Sequence, residues 1–273
     1  MITSVTNQKV KRIVQLNKKA AAREEENVFV AEGIKMFLEA PPEYLKEIYV
    51  SESLLKQLEG GADLSVAEKL KRFTYEVVSN QVFQKMSDTR TPQGILCVVK
   101  RLTYTLEQMA EGKENPLFLI LESLQDPGNL GTIIRTGECA GISGLILSKD
   151  TVDIYNPKTI RSTMGAIYRL PFLYTEDLRG ILQIMKAKGI AIYASHLKGR
   201  LSYDKACCTK AAAFLIGNEG NGLTEETTAL ADERIKIPMA GQAESLNAGV
   251  AAALLMYEAA RQRQWKGTKG WKG

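Results

Sequence analysis

Three polar loops carry the side chains that could do chemistry. In IPMAGQAESLN, residues 237–247, Glu244, Ser245 and Asn247 crowd the entry of a helix. Unpaired backbone N–H groups at such an entry favour polar or anionic ligands. In DPGNLGTIIRTGECAG, Asp126 to Gly141, Pro127 and Gly128 read as a turn and Asn129 as the helix cap. Arg135 follows about a turn and a half inside, where a guanidinium can grip a phosphate with two N–H groups. The plainer reading makes Asn129 only a cap and Arg135 only a surface ion-pair partner. In GNEGNGL, Gly217 to Leu223, the glycines permit positive φ and close approach of the backbone to phosphates or to a flat cofactor. Glu219 counts against phosphates. It also occupies a position where a dinucleotide fingerprint needs glycine, and no Gly-Lys-Ser or Gly-Lys-Thr follows to complete a nucleotide-binding loop. The plainer reading of this stretch is a tight strand-to-helix turn.

These loops need a scaffold, and the apolar runs supply one. LFLILES, GLILS, IAIYAS, AAAFLIG and RIKIP read as strands with helical segments between most of them. Continuous apolar strands separated by helices predict an α/β domain with a mostly parallel sheet covered on both faces. Ligand sites of such sheets lie beyond the strand ends, where all three loops fall. Upstream, residues 4–22 have helical periodicity, and NVFVAEG, EIYVS, FTYEVVS and GILCVVK alternate with helices, predicting a smaller α/β domain. The polar stretch 103–115 is the expected boundary, giving domains 1–103 and 116–273. The last helix is apolar on nearly every face from Val250 to Tyr257, so it must be covered inside a core or by a second subunit.

At 45% hydrophobic and 25% charged residues, the chain has the composition of a globular protein. The formal charge is +5, but its distribution is more telling: Lys9, Lys11, Arg12, Lys18, Lys19 and Arg23 precede any acid. Arg261, Arg263, Lys266, Lys269 and Lys272 close the sequence, again without an acid. Such segments suit RNA, whose binding rests largely on phosphate neutralisation, although a solvated helix face and a soluble tail would look the same. No apolar run approaches the length of a membrane span, and no signal-peptide core is seen, which predicts a cytoplasmic protein. Cys97, Cys139, Cys207 and Cys208 lack CxxC spacing and His196 is the single histidine, so no metal site is expected.

In their order along the chain, the three loops resemble those of the SpoU-TrmH family of RNA ribose 2'-O-methyltransferases, within the SPOUT superfamily. The resemblance rests on Asn129 and Arg135 in NLGTIIR, Gly217 and Glu219 in GNEGNGL, and Ile237, Pro238, Ser245, Leu246 and Asn247 in IPMAGQAESLN. The first domain is similar to the substrate-binding module that precedes the catalytic domain in this family, through SVTNQKVKRIVQL, FVAEG and TPQGIL. Gly137 stands where the family more often has alanine, a difference that bears on helix rigidity. The resemblance implies S-adenosylmethionine bound in a C-terminal trefoil knot, with the backbones of Gly217, Ile237 and Leu246 around its adenosine and with Ala194 and Ser195 lining the same pocket. His196 is read as structural. Arg135 is implied to activate the ribose hydroxyl or stabilise its alkoxide, oriented with the ribose by Asn129, Glu219, Ser245 and Asn247. A homodimer and an RNA substrate are implied as well, with 23S ribosomal RNA the first reading and tRNA the alternative. An RNA-binding protein without catalysis is the alternative in another class; an oxidoreductase is disfavoured by the failed glycine fingerprint.

Overall fold

The computed structural model describes residues 1–263, and contacts group them into two compact units. The first holds Met1–Leu102 with Asp153–Tyr168, the second Thr103–Val152 with Arg169 onward.

In the first unit, Asn7 caps α1 (Gln8–Lys18) by accepting from the Lys9 N–H, and Val10, Ile13 and Leu16 on its inner face are fully buried. Helices α2 (Ala20–Glu25) and α3 (Ile34–Glu39) flank β1 (Val28–Glu32). β2 (Leu45–Ser51), α4 (Glu52–Glu59), α5 (Leu64–Leu70), β3 (Glu76–Val78), α6 (Asn80–Met86) and β4 (Ile95–Lys100) follow. Ser51, Asp63 and Ser79 start α4, α5 and α6, each accepting from the N–H three residues on. The sheet order is β1-β4-β2-β3, with β4 antiparallel to both neighbours and β3 parallel to β2.

The N-terminal bases are less of a free polyanion surface than their run suggests. Arg12 is paired with Glu26 and Glu47 at 2.6 and 2.7 Å, and Lys9 with Glu76. Arg23 is buried, holding Asp153 and the Leu16 carbonyl. Distant acids that no local pattern reveals account for the difference. Lys266, Lys269 and Lys272 lie outside the described residues.

The second unit opens with α7 (Leu106–Ala110), started by a capping box between Thr105 and Gln108. The stretch expected to be a boundary therefore contributes Leu106 and Met109 to this unit's core. Next come β5 (Leu117–Leu121), α8 (Pro127–Ala140) and β6 (Gly144–Ser148). The chain then runs through α9 (Pro157–Thr163), in the segment that groups with the first unit. There Tyr155 stacks on Phe29 with ring centroids 4.7 Å apart. β7 (Phe172–Thr175), α10 (Leu178–Ala187), β8 (Ala191–Ser195), β9 (Leu201–Ser202), β10 (Ala212–Ile216), α11 (Glu225–Ala229), β11 (Glu233–Lys236) and α12 (Ala248–Gln262) complete it.

The sheet order is β7-β6-β5-β10-β8-β11-β9, and every neighbouring pair is parallel. Central β5, β6 and β10 are buried along their whole length, which is why they read as continuous apolar runs. The short, partly exposed β7 and β9 had no such signature. Gly137 proves to be a packing position: a Cβ there would lie 2.8 Å from Ile142 Cδ1.

One face of α12, through Ala248, Ala252, Leu255, Met256, Ala259 and Ala260, is buried against its own unit. Val250 and Tyr257 on another face are 48% and 42% exposed. They line an apolar groove of about 300 Å³ together with Thr132, Ala253 and Leu254. Among the described residues, no helix is long and apolar enough to cross a membrane.

Candidate active site

The sheet order places a topological switch at β10. The chain steps from β5 outward through β6 and β7, returns to lay β8 on the other side of β5, and later fills the gap between them with β10. Loops that leave neighbouring strand ends in different directions open a crevice there. The loops after β8, β10 and β11 line a cavity of about 590 Å³, within the roughly 300–1,000 Å³ common for cofactor sites.

The loop after β10 is a tight return. Asn218 and Gly222 exchange backbone hydrogen bonds at 3.0 and 2.9 Å. The Asn218 side-chain oxygen accepts from the Gly220 and Asn221 N–H groups, while its amide donates to the Ser123 carbonyl at 2.8 Å. Gly217 is required by close approach: a Cβ would lie 2.1 Å from the Gly222 carbonyl carbon and 2.2 Å from the Leu223 nitrogen. The loop thus presents main chain to the cavity, as a flat ligand group needs.

Glu219 ties this loop to the one after β5. Its carboxylate accepts from the backbone N–H groups of Gln125 and Asp126 and from the Asn129 amide, each at 3.0 Å. Burial pushes the carboxyl up, but these hydrogen bonds outweigh it and hold the group below the usual carboxylate range. Three donors already hold its two oxygens and favour the ionised form, so Glu219 is suited to hold loops in place and poorly suited to accept a proton from a substrate.

Asn129 continues the connection. Its side-chain oxygen accepts from the Asn247 amide at 2.9 Å, and the Asn247 oxygen accepts from the Gly249 and Val250 N–H groups at the start of α12. Both ends of this relay have fixed polarity, since an ionised carboxylate only accepts and a backbone N–H only donates. The orientation of both asparagine amides follows from that alone. Asn129 does not cap α8, as its position suggested: Asp126 does, accepting from the Asn129 N–H at 2.7 Å, with Pro127 in the first helical turn. Asn129 lies in that first turn, which frees its side chain for the relay.

Of the residues singled out in the sequence, Gly217, Glu219, Ile237, Ser245, Leu246, Asn247 and Ser195 line the cavity. Asn129 joins them through its two hydrogen bonds. Ala194 does not line it: the strand alternation turns this fully buried residue into the hydrophobic core, leaving its neighbour Ser195 at the cavity. Arg135 is not at the cavity within one chain either. It is exposed on α8, six residues or about 9 Å along the axis from Asn129, and no hydrogen bond or ion pair holds it among the described residues. Thr132, one turn before it, lines the apolar groove beside α12.

The sequence reading passed over Asn218 and Glu122 and read His196 as structural; all three bear on the site. Asn218 shapes the loop; its place directly after a buried strand and a glycine was the available signal. His196 lines the cavity, and its Nδ1 accepts the Lys198 N–H at 3.0 Å, which leaves Nε2 as the N–H of the neutral ring. Glu122, an acid at the end of an apolar strand, is bonded to Thr224 and Thr227.

Comparison with known proteins identifies the family of both parts of the chain. Residues 116–257 match the SpoU rRNA Methylase family, and residues 7–97 match the MRM3-like substrate binding domain. The chain is 33% identical over 260 residues to 23S rRNA (guanosine(2553)-2'-O)-methyltransferase RlmP of Bacillus subtilis, covering 94% of this chain and 97% of that one. Among solved structures it is similar to an AdoMet-bound rRNA methyltransferase from Sinorhizobium meliloti, with a TM-score of 0.82, 31% identity, and 95% and 97% of the two chains covered. It is similar also to the SpoU methyltransferase AviRb from Streptomyces viridochromogenes in complex with AdoMet, with a TM-score of 0.83, 25% identity, and 94% and 98% covered.

Proposed function

The chain belongs to the SpoU rRNA methylase family, and on that footing we propose that it methylates a ribose 2'-hydroxyl of 23S ribosomal RNA with S-adenosylmethionine as donor. The observation that carries the reading is the Glu219–Asn129–Asn247 relay, which joins the three motif loops beside one cavity.

The cavity residues fit the cofactor. A side chain at position 217 would collide with the loop backbone, and the glycine return offers main-chain groups to an adenine and ribose. The backbones of Gly217, Ile237 and Leu246, with Ser195, hold the adenosine part. When bound, S-adenosylmethionine supplies an electrophilic methyl group on a sulfonium. The protein's share is to orient the ribose and to stabilise its oxygen as the hydroxyl proton passes to solvent water. Ser245 and Asn247 orient the sugar, and Asn129 and Glu219 hold Asn247. Arg135 stabilises the developing alkoxide by its charge, since a guanidinium does not act readily as a base.

Arg135 reaches a cavity by dimerisation. The exposed apolar groove along α12, lined in part by Thr132 of the Arg135-bearing helix, is the face that a second copy covers, and Arg135 completes the partner's site. The C-terminal part of the second unit forms the trefoil knot of the family, and the first unit receives the RNA. A cytoplasmic location goes with a bacterial 23S ribosomal RNA substrate, the one named for the Bacillus subtilis relative.

Incubation with labelled S-adenosylmethionine and either 23S ribosomal RNA or tRNA tests the reading. Label in ribosomal RNA at a ribose, abolished by Arg135→Ala, is expected. Transfer only to tRNA would move the substrate, and full activity of Arg135→Ala would remove the role given to that residue.

A further inference from the structure

The Glu122 side chain is 8% exposed at the end of β5, outside the cavity, and yet ionisable. Burying a carboxylate is costly unless donors surround it. Here Oε2 accepts from the Thr224 N–H at 2.8 Å, and Oε1 accepts from the Thr224 hydroxyl at 2.8 Å and from the Thr227 hydroxyl. All three donors come from the segment that directly follows the glycine loop. The Glu122 N–H, meanwhile, donates to the Ile216 carbonyl at 2.9 Å, on the residue that directly precedes that loop. One residue therefore grips both ends of Gly217–Leu223, whose members line the cavity. An apolar side chain at 122 would avoid dehydrating a charge, but it could not reach out to bind a backbone N–H and two hydroxyls. Glu219 and Asn218 hold the middle of the loop through Gln125, Asp126 and Ser123, on the stretch that directly follows Glu122.

We propose that Glu122 is a positioning residue for cofactor binding: it sets the place of the Gly217–Leu223 loop from outside the cavity, through Thr224 and Thr227. The inference rests on the reading that this cavity takes S-adenosylmethionine. Replacing the carboxylate by an amide keeps the shape but either sets a donor against the Thr224 N–H or obliges both threonine hydroxyls to turn and accept.

Calorimetric titration of the full chain with S-adenosylmethionine separates the outcomes. Glu122→Gln is expected to weaken binding about tenfold, in line with a charged hydrogen bond lost. The KM for the cofactor should rise while kcat at saturating cofactor and the KM for RNA hold, a split that a general loss of folded protein would not produce. Thr227→Val should weaken binding in the wild-type background and much less in Glu122→Gln, because both changes break one contact. Wild-type affinity in both single variants, or fully additive effects, would overturn the proposal. Should Glu122→Gln fail to fold, Thr227→Val alone decides, since it leaves the carboxylate two donors and removes one. If the wild-type chain itself bound no S-adenosylmethionine, the cofactor reading would fall first, a result distinct from intact binding that ignores Glu122.

Discussion

Asn129 and Asn247, 118 residues apart in the chain, are hydrogen-bonded side chain to side chain at 2.9 Å. Each amide is also anchored on its far side, Asn129 to the Glu219 carboxylate and Asn247 to the backbone of α12. A change at the middle of this line is felt at both ends, because every group has a partner of fixed polarity.

Asn129→Asp should be more damaging than Asn129→Ala. The aspartate sets a carboxylate against Glu219 and replaces a donor by an acceptor, whereas alanine only removes the link. Methyl transfer is expected to fall by at least about tenfold in both, and the melting temperature further in the aspartate variant. Equal melting temperatures would show that the two loops are held without this relay.

Acid should weaken the loops through Glu219. Its carboxyl is held below the ordinary range, so the folded protein favours the carboxylate more than the unfolded chain does. That stabilisation is complete above the unfolded value of about 4.3 and is lost as pH falls through the folded value. Urea unfolding of wild type and Glu219→Gln, compared at neutral pH and below the unfolded value, should show the wild-type advantage shrinking in acid. An advantage constant with pH would contradict the hydrogen-bonded carboxylate.

Gly217→Ala should abolish cofactor binding at ordinary concentrations while leaving the sheet intact. The added methyl would meet backbone atoms of Gly222 and Leu223, which cannot rotate aside as a flexible side chain would. A loss of at least about 2 kcal/mol in stability accompanies such a backbone shift. Circular dichroism and cofactor titration check the two parts separately.

Mixing two inactive proteins tests the shared site. If Arg135 serves the partner's cavity, Arg135→Ala and Asn247→Ala subunits should regain activity together, because one of the two sites in a mixed dimer is whole. Tyr257→Glu should give monomers by light scattering and no transfer, since it places a charge on the apolar face of α12. Activity in a Tyr257→Glu monomer would remove the need for a second copy.

Burying Phe214 is the largest single contribution of β10 to the core, at 1% exposure. Phe214→Ala should cost about 3–5 kcal/mol in urea unfolding, through lost contacts and the cavity left behind. A loss below about 1 kcal/mol would mean that the central strand repacks freely.

The local patterns of the sequence determined the element types and the loops that matter. Continuous apolar runs marked β5, β6, β8 and β10 because a strand covered on both faces has no polar side to show, whereas β11, with Ile235 alone buried, carries charged residues on its open face. The glycines and Asn247 stood out because their backbone and capping needs are local; Glu219 was marked only by the family resemblance, since its partners Gln125, Asp126 and Asn129 lie 90 to 94 residues away in the chain. Which strands become neighbours was decided in three dimensions: β10 lies between β5 and β8 through hydrogen bonds between residues far apart in the chain. The same holds for the grouping of Asp153–Tyr168 with the first unit, secured there by the buried Arg23–Asp153 pair and by Tyr155 on Phe29. It holds as well for Asn129, which looked like a cap and became a link, and for Ala194, whose side of the strand is set by the sheet. Periodicity reports whether a residue is buried; only long-range pairing decides against what, since the partner's identity is written elsewhere in the chain.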